Sequence, residues 1–315
     1  MSAIETAVDP QVAAPTIKAA RPRRSVDWRQ VRVAALFLAP AMLGFVVFYL
    51  RPTVIGFWNS FTDMELLRPD SEFIGLGNYR DMIEDDVFWN ALWVTLKYVL
   101  INIGIQTVFA IGIAWILDKL SGSRVMRTVV LTPWLMSNVV VALLFLWILD
   151  FRLGVVNNFL ESIGISPQAF FTSETWAIPT IALINVWRHM GYTALLLFAG
   201  LQTIPKTVKE AALVDGCTER QRFVHVILPL LRPVLAVVLV ITVIGSFQIY
   251  DTVDVTTEGG PVNASRVIYI YIFDQAFGRR NFGYASAMAV ALFAILAVLT
   301  MLQMKFLRAN ESDLA

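Results

Sequence analysis

The sequence predicts an all-α, polytopic membrane protein with six transmembrane helices. Composition points there first: 57% of the 315 residues are hydrophobic and only 16% are charged, with a mean hydropathy of +0.65. A soluble domain carries about 25% charged residues. Six apolar runs approach the roughly 20 residues that cross a bilayer as helix. These runs are long and continuous, whereas a β-barrel shows short segments of alternating polarity.

The elements follow in order. Residues 1–30 are polar and rich in Ala and Pro. With Arg21, Arg23, Arg24, Arg29 and Arg32 they read as a disordered, basic cytoplasmic tail ahead of a transmembrane domain over 31–315. The apolar run behind the tail is too long for a cleavable signal, and no cleavage site follows it. The expected spans are Val33–Leu50, Ala91–Leu117, Val125–Leu149, Ala177–Leu201, Val234–Tyr250 and Tyr284–Phe306. Pro40, Pro133 and Pro179 fall inside runs or at their ends, where packed neighbours absorb a kink. The largest connection, Arg51–Asn90, is acidic. Basic residues gather instead in the tail, at Lys119–Arg127, at Lys206–Arg232, and at Lys305 and Arg308. That asymmetry places both termini in the cytoplasm. Cys217 is the single cysteine, which excludes an internal disulfide and a Cys-based metal cluster, and two histidines exclude a His-rich metal site.

The polar segment 202–233 between the fourth and fifth runs carries the sharpest signal. Thr207-x-x-Glu210 and Thr218-x-x-Gln221 both fit capping boxes, each opening a short helix. Gly216 stands where a left-handed residue ends the first of them. Glu210-Ala211-Ala212, three residues, Gly216, nine residues and Val226-x-Leu228-Pro229 resemble the EAA loop of binding-protein-dependent ABC importer permeases, with Val226 in the isoleucine position. Phe73-Ile74-Gly75-Leu76-Gly77-Asn78-Tyr79, Phe88-Trp89-Asn90-Ala91-Leu92 and Thr257-Glu258-Gly259-Gly260-Pro261 are similar to signatures of the sugar-importer branch.

The resemblance implies a type I ABC importer permease architecture in a bacterial or archaeal inner membrane. It implies docking of Glu210, Ala211, Ala212, Asp215 and Gly216 into an ATPase subunit. The implied partners are a second permease, two ATPase subunits, an extracytoplasmic solute-binding protein and membrane lipid, with no nucleic acid. No cofactor is expected on this chain; ATP and Mg belong to the ATPases. No Gly-x-x-x-x-Gly-Lys-Ser/Thr phosphate loop occurs, so the chain is not itself the ATPase, and no nucleophile–base arrangement suggests another enzyme.

Polar side chains at bilayer depth face a cavity or a partner. Asn185, His189 and Tyr192 are spaced i, i+4, i+7 on one face of the fourth span, beside Arg188. Thr242 and Ser246, with Gln248 nearby, share a face of the fifth. In maltose-importer permeases this region holds sugar hydroxyls; Asn185, Tyr192, Thr242 and Ser246 fall on matching positions, and His189 replaces a glycine. Helix–helix hydrogen bonding is the competing role for each of these residues. Arg188 either holds an anionic solute, such as sn-glycerol 3-phosphate, or serves as a structural or gating cation. An ion-coupled secondary transporter is the remaining alternative and would need buried carboxylates or broken helices.

Overall fold

The computed structural model describes residues 28–68, 70–120 and 123–306, and leaves the side chain of Gln30 undescribed. The basic tail therefore lies outside the described residues except for positions 28–30, which already belong to the first helix. Arg308 lies outside them too. Helices account for nearly all the regular structure; among the described residues only isolated bridging pairs, such as Thr62 with Phe73, take β geometry.

The described chain divides into two units, one ending at Thr53 and one beginning at Val54. In the first, α1 (Trp28–Phe45) runs through Pro40 into a wider turn at Val46–Leu50, and the chain continues as α2 (Arg51–Asn59). The helical stretch thus outlasts the expected span Val33–Leu50. Thr53 Oγ1 donates to the Tyr49 carbonyl at 2.7 Å. The apolar side chains of α1, such as Leu36, Phe37 and Leu43, stand exposed. Exposing them to water would cost about 25 cal/mol per Å², so a lipid surrounding suits them.

The second unit holds α3 (Gly77–Glu84), α4 (Asp86–Lys119), α5 (Arg124–Leu135), α6 (Asn138–Ile148), α7 (Val155–Ser162) and α8 (Ala177–Thr203). It continues with α9 (Lys206–Val214), α10 (Glu219–Arg222), α11 (Leu228–Leu230), α12 (Arg232–Phe247), α13 (Asp251–Thr256), α14 (Ile268–Phe273) and α15 (Phe282–Phe306). Among the described residues, counting the stretch from Val31 to Asn59, five helical stretches are long and apolar enough to cross a membrane, and the bent pair α5–α6 counted as one span makes six.

The third expected span is corrected. Val125–Leu149 is not one helix: α5 and α6 meet at Met136–Ser137 with a bend of 88°. Both halves are apolar, so hydropathy joins what the backbone separates. The fifth run also breaks, ending as helix at Phe247 and resuming at Asp251.

Helices α4 and α8 form the central pair. Towards the start of α4 the core gathers Phe88, Val94 and Tyr98 with Ile181, Ile184, Val253, Ile268 and Met288. Towards its end, Ala110, Ala114 and Leu117 meet Ala194, Leu197 and Leu201. Small residues let two helices approach closely where no hydrophobic force between them exists.

The first end of α4 is fixed by Asp85, its N-cap. One carboxylate oxygen accepts from the Val87 and Phe88 amides, at 2.8 and 3.3 Å. The other accepts from the hydroxyls of Tyr271, at 2.5 Å, and Tyr284, at 2.7 Å. The same carboxylate therefore ties α4 to α14 and α15. Burial alone would push the Asp85 carboxyl up, but these four donors together hold it below the usual value of 3.8. Burial and the Asp85 carboxylate push the Tyr271 phenol up to about 12.

Asp85→Asn removes charge-assisted bonds each worth about 1.5–3 kcal/mol. At pH 7 it should lower the thermal midpoint of the purified protein. The lowered folded value sets the sign: the contribution is complete above 3.8 and is lost as pH falls through the folded value. The gap between wild type and Asp85→Asn should accordingly close in acid.

Candidate functional site

Two features stand out: a helical hairpin at the far end of α4, and a polar cavity inside the bundle.

The hairpin is built as its sequence suggests, with one exception. Helix α9 ends in a Schellman motif, in which the Cys217 amide donates to the Ala212 carbonyl and the Gly216 amide to that of Leu213, both at 3.1 Å. Gly216 takes φ +80°, a conformation that strains any residue with a Cβ. The Thr218 box is complete, with Gln221 N donating to Thr218 Oγ1 and Thr218 N to Gln221 Oε1. The Thr207–Glu210 box does not form. Helix α9 begins at Lys206 directly after Pro205, so Thr207 is already helical and cannot cap.

Ala212 is buried, whereas Glu210, Ala211, Asp215 and Gly216 are exposed. Val214 at the tip is 88% exposed. The base of the hairpin is clamped to the end of α4. Lys209 Nζ pairs with Asp118 at 3.1 Å and also donates to the Leu201 carbonyl. Lys119 pairs with Glu219, and this hydrogen bond holds the Glu219 carboxyl below its ordinary value.

The cavity has a volume of about 530 Å³. Asn185, His189 and Tyr192 on α8, Thr242 and Ser246 on α12, and Gln248 just beyond α12 all line it. Spacing along two separate runs therefore brings six side chains to one place. Arg188, expected with them, is not in the lining.

Arg188 turns to the break between α5 and α6. Its Nε and Nη2 donate to the Met136 carbonyl at 3.0 and 2.7 Å, and Nη2 also to that of Trp134 at 3.2 Å. These are carbonyls that the interrupted helix cannot bond itself. Nη1 lies 2.8 Å from His189 Nε2. Arginine only donates, so Nε2 accepts, and the imidazole hydrogen sits on Nδ1, 3.0 Å from the Asn185 carbonyl. Arg188 is thus a C-terminal cap for α5 and a brace for His189. Gly191 secures the same contact: a Cβ there would lie 1.8 Å from the Val130 carbonyl oxygen of α5.

The cavity also holds residues that the sequence reading passed over. Asn102 and Gln106 of α4 line it, as do Asn138 at the start of α6 and Asp251 at the start of α13. Gln106 Nε2 donates to Thr193 Oγ1 at 2.7 Å, and Asn102 Nδ2 to Gln106 Oε1 and Ser246 Oγ at 3.1 and 2.9 Å. Asn102 and Gln106 stand i, i+4 within an apolar run, the same signal that singled out α8; the strength of the run's hydropathy hid it.

A family model described as the inner membrane component of binding-protein-dependent transport systems matches residues 106–310. The chain belongs to that family. The chain is 32% identical over 290 residues to the sulfoquinovosyl glycerol transport system permease protein of Agrobacterium fabrum, covering 91% of this chain and 94% of the relative. It is 30% identical over 281 residues to the trehalose/maltose transport system permease protein of Thermococcus litoralis, covering 89% and 95%. With the sn-glycerol-3-phosphate transport system permease protein of Yersinia enterocolitica it shares 28% over 292 residues, covering 92% and 97%. Its fold matches a chain of a bacterial ABC transporter that imports the acidic polysaccharide alginate, with a TM-score of 0.76, 24% identity, and coverage of 89% of this chain and 98% of that one.

The broken helix makes a prediction for this inner membrane component. Arg188→Gln leaves part-buried carbonyls short of donors, at up to about 1–3 kcal/mol each. It should lower the thermal midpoint of the purified protein without any solute present. Gly191→Val should do the same, because the clash falls on backbone. Differential scanning fluorimetry in detergent reads both.

Proposed function

We propose that this chain is a membrane-spanning permease subunit of an ATP-driven importer for a sugar, an oligosaccharide or a similar polyhydroxyl solute. The cavity carries the reading: polar side chains from α4, α8 and α12 converge on one space inside an otherwise apolar bundle. Its size suits a small-molecule site. Hydroxyls, amides and the stacked rings of Trp134 and Tyr192, 4.6 Å apart, are the chemistry that binds sugars. The solutes named for two relatives, sulfoquinovosyl glycerol and trehalose/maltose, are likewise hydroxyl-rich sugars.

On this reading the chain works with a second permease, two ATPase subunits that bind ATP and Mg, and an extracytoplasmic binding protein. It lies in a bacterial or archaeal inner membrane with both termini in the cytoplasm, as the basic residues indicate. Glu210, Ala211, Ala212, Asp215 and Gly216 form the surface that meets the ATPase. The exposed Glu210 and the apolar tip at Val214 provide contact, while the clamped base passes the force to α4.

Each part has its own test. Glu210→Ala and Gly216→Val should uncouple solute uptake from ATP hydrolysis or release the ATPases from membranes. Normal assembly with normal coupled hydrolysis in both would remove the docking role. Asn185→Leu should slow uptake with assembly intact, by about the 1–3 kcal/mol of an unsatisfied polar group; unchanged uptake would take Asn185 out of the solute path. In intact cells, an impermeant thiol reagent should label cysteines placed at Glu84 and Glu161 but not Cys217, and outside labelling of Cys217 would invert the topology.

A further inference from the structure

The solutes named for the relatives differ in charge: trehalose and maltose are neutral, whereas sulfoquinovosyl glycerol, a sulfonate, and sn-glycerol 3-phosphate are anionic. The polar wall of the cavity bears on which kind fits here. Asp251 is the one carboxylate in the lining, and no Lys or Arg lines the cavity. Arg188, which is not in the lining, acts on Asp251 electrostatically. Its guanidinium hydrogens, however, go to the carbonyls of Met136 and Trp134 and to His189 rather than to the cavity.

The hydrogen-bond directions in the wall are fixed. The Ser246 hydroxyl donates to the Thr242 carbonyl at 2.7 Å, so Ser246 Oγ accepts from Asn102 Nδ2. Gln106 gives a hydrogen to Thr193, so its oxygen also faces the Asn102 amide nitrogen. Asn102 can satisfy both only in this orientation, which leaves its Oδ1 buried without a partner. Asn138 Nδ2 donates to Asp251 Oδ2 at 2.7 Å, the sole direction that a carboxylate allows. That leaves Asn138 Oδ1 buried and unpaired as well. Unpaired buried acceptors are rare in folded proteins because each forfeits a bond it had in water. Both oxygens are turned away from the cavity space, so the negative group that the wall presents is the Asp251 carboxylate.

We infer that Asp251 selects uncharged, hydroxyl-rich solutes and rejects anionic ones. The inference rests on the cavity being the solute path. A sugar hydroxyl donates to the Asp251 carboxylate. A phosphate, sulfonate or carboxylate has only oxygens to offer there, meets Asp251 at close range, and finds no cation in the lining to offset it. Asp251 is on this account a specificity-determining residue.

The test titrates the detergent-purified complex, assembled with its partner subunits, with three charge-matched pairs of solutes. These are trehalose and trehalose 6-phosphate, glycerol and sn-glycerol 3-phosphate, and glucose and glucuronate. Tryptophan emission is the readout, since Trp134 lines the cavity. In wild type, the neutral member of every pair that binds should bind at least about tenfold more tightly than the anion, the scale of one unscreened like-charge contact. Asp251→Asn removes the charge and should narrow that ratio to about threefold or less, chiefly by strengthening the anion. The wild-type ratio decides the question even where the variant does not assemble. An anion that binds wild type as tightly as its neutral partner overturns the inference while leaving the importer reading in place. So does a ratio that Asp251→Asn does not move. No response to any of the solutes, in a complex that hydrolyses ATP, overturns the sugar-permease reading and this inference together.

Discussion

A helix interrupted in apolar surroundings must find donors for the carbonyls that it frees, and the rest of the cavity depends on how that is done here. Arg188 reaches across from α8 and bonds the Trp134 and Met136 carbonyls at the end of α5. With those carbonyls satisfied, the chain can turn through 88° and start α6 at Asn138. The turn places Trp134 against Tyr192 and Asn138 against Asp251. Gly191 allows the two backbones to touch at Val130. A guanidinium suits this role better than an ammonium, because its planar fork serves two carbonyls and a ring nitrogen at once. A broken helix and a buried ionisable residue are also marks of ion-coupled carriers; here the freed carbonyls are occupied by a side chain of the protein itself.

The hairpin follows a different logic. Its tip is exposed and partly apolar, and its base is held by charges. Asp118 receives Lys209 and Gln202, and Lys119 receives Glu219. Exposed pairs contribute little to stability singly. Two adjacent pairs, one of them joined by Gln202, still restrict how the hairpin can swing relative to α4. The Schellman end and the Thr218 box make the corner itself rigid, because the amides and carbonyls at the turn are bonded locally rather than to water.

How much of this was legible in the sequence depended on whether the signal was local. Gly216 and the Thr218 box were readable because each is settled within a few residues. The shared face of Asn185, His189 and Tyr192 was readable because helical spacing is rigid, and the same holds for Thr242 with Ser246. The failures are non-local or competitive. Thr207 fits the capping pattern, but with Pro205 as the N-cap the helix starts two residues too early for it. The break at Met136–Ser137 is invisible to hydropathy, since apolar residues continue on both sides. The role of Arg188 required knowing which carbonyls lie opposite, which is tertiary information. Asp251 was passed over because it lies beyond the apolar run, and only the second helix break folds it back into the wall.

The 34 residues of α4 form one helix without an interior proline, about 51 Å from end to end at 1.5 Å per residue. Asp85 anchors one end to α14 and α15, and Asp118 with Lys119 anchors the other to the hairpin. Such a rod is a lever arm. Pivoting about one anchor by about 10°, it would carry the opposite end through about 9 Å at that length. Asn102 and Gln106 lie near its middle and would travel roughly half as far, enough to part Gln106 from Thr193 and Asn102 from Ser246 unless α8 and α12 swing with it.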